Sequence, residues 1–178
     1  MPLYFLTGTK GLVRNNISAV PPSYEHDLPL SATPFNTGDH AIVSSIYTED
    51  YMPAILILRH SLVAANATAR TILMYILDGG STRTLCPARA VGWTPHPVLF
   101  IPPPSSKILS QYYRHQYSKL SLWTLDRIGT KSLVYLDADN LIRRNFEELF
   151  ALPFNLAAVP DVFQNTGSMI GFNAGVLS

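Results

Sequence analysis

A chain of 178 residues, 47% hydrophobic and only 14% charged, is one domain of ordinary size with enough apolar side chains for a sheet covered on both faces. A net charge of +1 gives no footprint for nucleic acid, and a single cysteine, Cys86, excludes an internal disulfide and a cysteine zinc cluster. No apolar run reaches the roughly 18 residues of a membrane span, and the opening PLYFLTGTKGLV lacks the basic start of a signal peptide, which favours a cytoplasmic setting.

Residues 1–39 read as an irregular arm, since Pro21, Pro22, Pro29 and Pro34 stand among Asn, Ser, Thr and Gly without periodicity. Order begins with a strand from Ala41 to Tyr47, followed after Glu49 and Asp50 by a helix with Pro53 in its first turn, where a missing N–H costs no hydrogen bond. TILMYILDGG is a second apolar strand, Thr82 to Val91 suits a short helix, and PVLFIPPP is a third strand stopped by prolines. SQYYRHQYSKLSLWTLDRIG predicts a helix with Tyr113, Tyr117 and Leu120 on one face and Gly129 as its stop. Leu133 to Leu136 has no polar alternation and reads as a fully buried parallel strand. A helical turn at NFEELF and two strand-like pieces, LAAVP and GFNAGVLS, complete the chain. Alternating strand and helix make an α/β sandwich with a largely parallel sheet.

Two aspartates, Asp137 and Asp139, stand where the buried strand ends. The carboxyl ends of strands are where α/β sheets open to ligands. Two residues apart on an extended chain, the side chains emerge on one side, and like charges that close repel unless a cation lies between them. The plainer alternative is a helix cap beside a solvated turn residue.

Four stretches in order, YTEDYMPAILILRHSL, YSKLSLWTL, LVYLDADNLIRRNFEELF, and AAVPDVF with GFNAGV, resemble the family 8 glycosyltransferases, the group of glycogenin and galactinol synthase. The likeness runs from His40 to Ser178. It implies a nucleotide-sugar-binding domain over residues 40–178 with the GT-A fold, a Rossmann-like arrangement of a mostly parallel sheet with helices on both faces. It also implies a UDP-sugar donor, Mn²⁺ or Mg²⁺, and hexosyl transfer with retention of anomeric configuration. On this resemblance Asp137 and Asp139 hold the metal, with Ala138 between them at the donor. Tyr51 stacks on uracil, and Tyr47 and Thr48 line the base pocket. Lys119 meets the donor phosphate or sugar, and Arg114 lies upstream on the same helix. Asp161, Asn173, Ala174 and Gly175 approach the donor sugar, and Asp161 and Lys119 are the candidate catalytic residues.

The chain departs from the family pattern after Gly175. The family has a downstream histidine that completes the metal site, then a glycine and lysine for the pyrophosphate, whereas His26, His40, His60, His96 and His115 all precede the aspartates. The expectation is a donor-side portion, truncated at its carboxyl end, with little transferase activity by itself. The alternatives are a binding module that keeps the fold without turnover and, more remotely, a haloacid-dehalogenase-type phosphatase, whose Asp-x-Asp-Gly-Thr pattern is not met by Asn140 and Leu141.

Overall fold

The computed structural model describes residues 4–5, 38–77, 85–104, 114–162 and 169–177, with residues 4–5, 159–162 and 169–173 described by main chain alone. The described strands are β1 (Tyr4–Phe5), β2 (His40–Ile46), β3 (Arg70–Ile76), β4 (Thr94–Val98), β5 (Ser132–Leu136), β6 (Ala157–Val162) and β7 (Met169–Leu177). They form one sheet in the order β1-β6-β7-β5-β2-β3-β4. β2 is parallel to both β3 and β5, and β3 is parallel to β4. β7 is antiparallel to β5 and to β6, so β6 points the same way as β5, while β1 runs against β6. Five strands, β2 to β6, therefore share one direction, and the largely parallel sheet read from the sequence is present. Of the stretch read as an irregular arm, residues 6–37 lie outside the described residues, and Tyr4–Phe5 join the sheet.

Alternating side chains of β2 feed two cores. Ile42 and Ile46 pack with Leu73, Val134 and Leu136 under Ile55, Leu58 and Leu62 of α1 (Met52–Ala64). Ala41 and Val43 pack with Ile72, Met74 and Tyr135 under Leu122 and Leu125 of a 3-10 helix, Gln116–Ile128. Pro53 stands in the first turn of α1, and a short 3-10 turn, Glu49–Tyr51, leads into it. The short helix expected between Thr82 and Val91 is α2 (Cys86–Ala90). Another 3-10 turn, Glu147–Ala151, falls in NFEELF.

Two readings change. The third strand covers Thr94–Val98 instead of starting at Pro97, because Trp93 is anchored first: its indole N–H donates to the Ile55 carbonyl at 3.2 Å, and pairing with β3 begins at the next residue. Pro95 and Pro97 alternate along this strand, which pairs only with β3 among the described residues. The segment ending at Gly129 is a 3-10 helix, and of the face read as Tyr113, Tyr117 and Leu120 the first lies outside the described residues. Leu120 is exposed, while Ser118, Ser121, Leu122 and Leu125 are buried. Pairs spaced by three fit a three-residue turn, and the Thr124 hydroxyl donates to the Ser121 carbonyl at 2.7 Å. Gly129 stops the helix as expected, with φ of 78°.

Candidate functional site

The strand order reverses between β5 and β2: the chain runs outward from β2 through β3 to β4, then returns to place β5 on the other side of β2. Such a switch point leaves a crevice at the carboxyl ends of the strands. A cleft of about 410 Å³ opens there, lined by Ser45, Tyr47, Thr48 and Tyr51 from the β2 end, Arg114, His115, Gln116 and Lys119 from the helix, and Asp137, Ala138 and Asp139 after β5. Eight residues singled out in the sequence thus share one cleft: Tyr47, Thr48, Tyr51, Arg114, Lys119, Asp137, Ala138 and Asp139. Tyr51 is 40% exposed, on the same side as Asp139. Ala174 and Gly175 reach the same region through their carbonyls. Lys119 Nζ donates to the Ala174 oxygen at 3.3 Å, and the Asp137 amide and the Asn140 side-chain amide donate to the Gly175 oxygen at 2.9 and 3.0 Å. Asp161 lies in β6 and Asn173 in β7, opposite Val159, and the side chains of both fall outside the described ones.

The two aspartates differ. Asp139 is exposed and has no ion pair or hydrogen bond with the described residues. Asp137 Oδ1 lies 2.7 Å from Lys119 Nζ and accepts a hydrogen bond from the Tyr135 hydroxyl, also at 2.7 Å. The Tyr135 oxygen is in turn 2.7 Å from Ser45 Oγ. Since the phenol proton goes to the carboxylate, Ser45 donates to Tyr135, and the chain of donors points from the core to the cleft. Burial, reinforced by the Asp137 charge, pushes the Tyr135 phenol well above its ordinary range, so it stays a donor. Burial likewise pushes Tyr47 up to about 12. His115 stacks on Tyr47 with ring centroids 5.7 Å apart and meets Phe100 edge-on at 5.5 Å. Burial, then the Arg114 charge, hold its imidazole below the ordinary value, so it is neutral at pH 7.

Two carboxylates on one cleft, one of them free, are oxygen donors of the kind that hard divalent ions take. Among the described residues no third His, Cys, Asp or Glu joins them, so the remaining ligands would be water and phosphate oxygens. The donor set fits such an ion when a diphosphate accompanies it. Sequence reasoning missed Ser45, Tyr135 and His115. The available signal was spacing: Ser45 and Tyr135 stand two residues before Tyr47 and Asp137 on extended chain, hence on the same sheet face.

No family model matches the chain. It is 30% identical over 124 residues to UDP-glucuronate:xylan alpha-glucuronosyltransferase 2 of Arabidopsis thaliana, covering 69% of this chain and 20% of that protein. It is 26% identical over 141 residues to glycogenin of Neurospora crassa, covering 75% of this chain and again 20% of the relative. The chain thus spans about a fifth of the length of the curated relatives it matches. Among solved structures, the glycosyltransferase GlyE of Streptococcus pneumoniae superposes with a TM-score of 0.54 at 20% identity, covering 79% of this chain and 33% of that one. The galactosyltransferase LgtC, solved with donor and acceptor sugar analogs, gives 0.52 at 22% identity, covering 77% of this chain and 56% of that one.

Proposed function

From a chain that has the GT-A fold and resembles the family 8 glycosyltransferases in sequence, we infer the donor-binding portion of a metal-dependent glycosyltransferase that uses a UDP-sugar and retains the anomeric configuration. The observation that carries this reading is the convergence of Tyr51, Arg114, Lys119, Asp137 and Asp139 on one cleft at the switch point of the sheet. A nucleoside diphosphate sugar has a flat base, a doubly charged phosphate pair and a polar sugar, and the cleft offers a counterpart to each of the first two.

Tyr51, partly exposed beside Tyr47 and Thr48, gives an aromatic face for uracil. Lys119 and Arg114 bring positive charge to the phosphates, where negative charge grows as the diphosphate leaves. Asp137 and Asp139 would hold Mn²⁺ or Mg²⁺, which supplies Lewis-acid charge at the leaving phosphate. The Ala174 and Gly175 carbonyls fix Lys119, Asp137 and Asn140 and so keep the floor of the cleft in place. Asp161 and Asn173 are assigned to the donor sugar, with Asp161 the candidate to test for direct participation in transfer. The UDP-glucuronate donor named for the Arabidopsis relative belongs to the same donor class.

Calorimetry of UDP with and without Mn²⁺ tests the reading. Each should raise the affinity of the chain for the other by the same factor, because binding coupling is reciprocal. Asp139→Asn should remove most of that factor. If Mn²⁺ leaves the UDP affinity of the wild-type chain unchanged, the donor-site assignment fails.

A further inference from the structure

Lys119 comes to the cleft from the helix that covers the sheet, and its side chain is only 9% exposed. An enclosed ammonium has to be paired and hydrogen-bonded. It is held by Asp137 Oδ1 at 2.7 Å and the Ala174 carbonyl at 3.3 Å, with Nζ 5.1 Å from the centre of the Tyr135 ring. Tyr135 donates to the same Oδ1, so both lone pairs of that oxygen are engaged. One of the two carboxylates assigned to the metal therefore already carries a resident cation. Arg114 adds a second positive charge, and among the described residues the charged side chains that line the cleft, Arg114 and Lys119 against Asp137 and Asp139, sum to zero.

A neutral cleft of this kind opposes each half of the ligand. A bare divalent ion approaching Asp137 meets Lys119 at close range, and a bare diphosphate approaching Lys119 meets two carboxylates. When both arrive, the phosphates draw on Lys119 and Arg114 while the ion draws on Asp137 and Asp139, and every like-charge contact gains an opposite neighbour. We propose that Lys119 is a specificity-determining residue that makes this cleft disfavour a bare divalent ion and take the ion together with a diphosphate as one complex. This rests on the donor-site reading above.

The test is a set of equilibrium titrations of the chain with Mn²⁺ alone, followed by the spin-resonance signal of the free ion, with UDP alone, and with both. Lys119→Met keeps the length of the side chain and leaves Asp137 its hydrogen bond from Tyr135. In this variant the affinity for Mn²⁺ alone should rise on the order of tenfold. Affinity for UDP alone should fall, and the factor by which each ligand favours the other should shrink. A lysine that served only as a phosphate contact would lower UDP affinity and leave Mn²⁺ alone unchanged, and that result overturns the proposal. Arg114→Gln alters an exposed side chain and must move Mn²⁺ affinity in the same direction by a smaller factor. Should Lys119→Met not fold, an unchanged Mn²⁺ affinity in Arg114→Gln overturns the proposal by itself. Failure of Mn²⁺ and UDP to favour each other in the wild-type chain would instead remove the donor-site reading beneath it.

Discussion

Tyr135 ties the interior of the sheet to the cleft. Its ring is fully buried in one core, and its hydroxyl accepts from Ser45 and donates to Asp137. Tyr135→Phe keeps the packing and removes both bonds, so it should cost about 1–2 kcal/mol of stability, read by urea denaturation. It should also weaken Mn²⁺ binding in the presence of UDP by several-fold, because Asp137 loses the donor that fixes its rotamer. A purely structural role would lower stability and leave that metal affinity unmoved. In the sequence Tyr135 looks like one more apolar strand residue, whereas the two aspartates are conspicuous, since charge at the end of an apolar run needs a reason. That asymmetry explains why the charged residues of the cleft were legible and their neutral support was not.

Glu147 shows the same kind of support between elements. One of its carboxylate oxygens accepts from the backbone amides of Thr68 and Ala69 at 2.7 and 2.6 Å, and the other accepts from the Thr68 hydroxyl at 3.0 Å, so the turn after β5 is fastened to the loop that enters β3. Burial works against its charge, but these hydrogen bonds prevail and hold its pKa below the ordinary 4.5. A carboxylate depressed in the folded state stabilises above its unfolded pKa and loses that contribution as pH falls through the folded one. Thermal midpoints should therefore drop as pH goes below about 4.5. Glu147→Gln should flatten that slope and cost about 1–2 kcal/mol at pH 7, measured by denaturation across pH. Strands β3 and β5 and the start of α1 were legible because apolar runs and Pro53 are local signals. The start of β4 was not, since it depends on a Trp93 to Ile55 bond across 38 residues of sequence. The inward face of Gln116–Ile128 was missed because a 3.6-residue period was assumed where a three-residue turn is formed.

At the scale of the molecule, the α/β class and the largely parallel sheet follow from alternating strands and helices, and the site follows from where the strand order reverses. The antiparallel insertion of β7 between β5 and β6 was not readable, because strand order is set by long-range pairing. This is also what brings Ala174 and Gly175 beside Asp137, although some forty residues of chain separate them.

The alternating prolines of β4 bear on a different property of the molecule, its behaviour in concentrated solution. In a parallel edge strand each residue turns its N–H and C=O to one side, and alternate residues turn to opposite sides. Proline has no N–H to give to β3, so Pro95 and Pro97 occupy the outward positions, and the rim of the sheet presents carbonyls without the donors a further strand needs. The same two residues oppose pairing of a further strand along β4 and the aggregation such pairing seeds. Replacing both by threonine would restore an unprotected hydrogen-bonding edge with high strand propensity. The double variant Pro95→Thr, Pro97→Thr should keep the fold and its UDP binding yet aggregate at concentrations where the wild type stays monodisperse, which light scattering during a concentration series would detect.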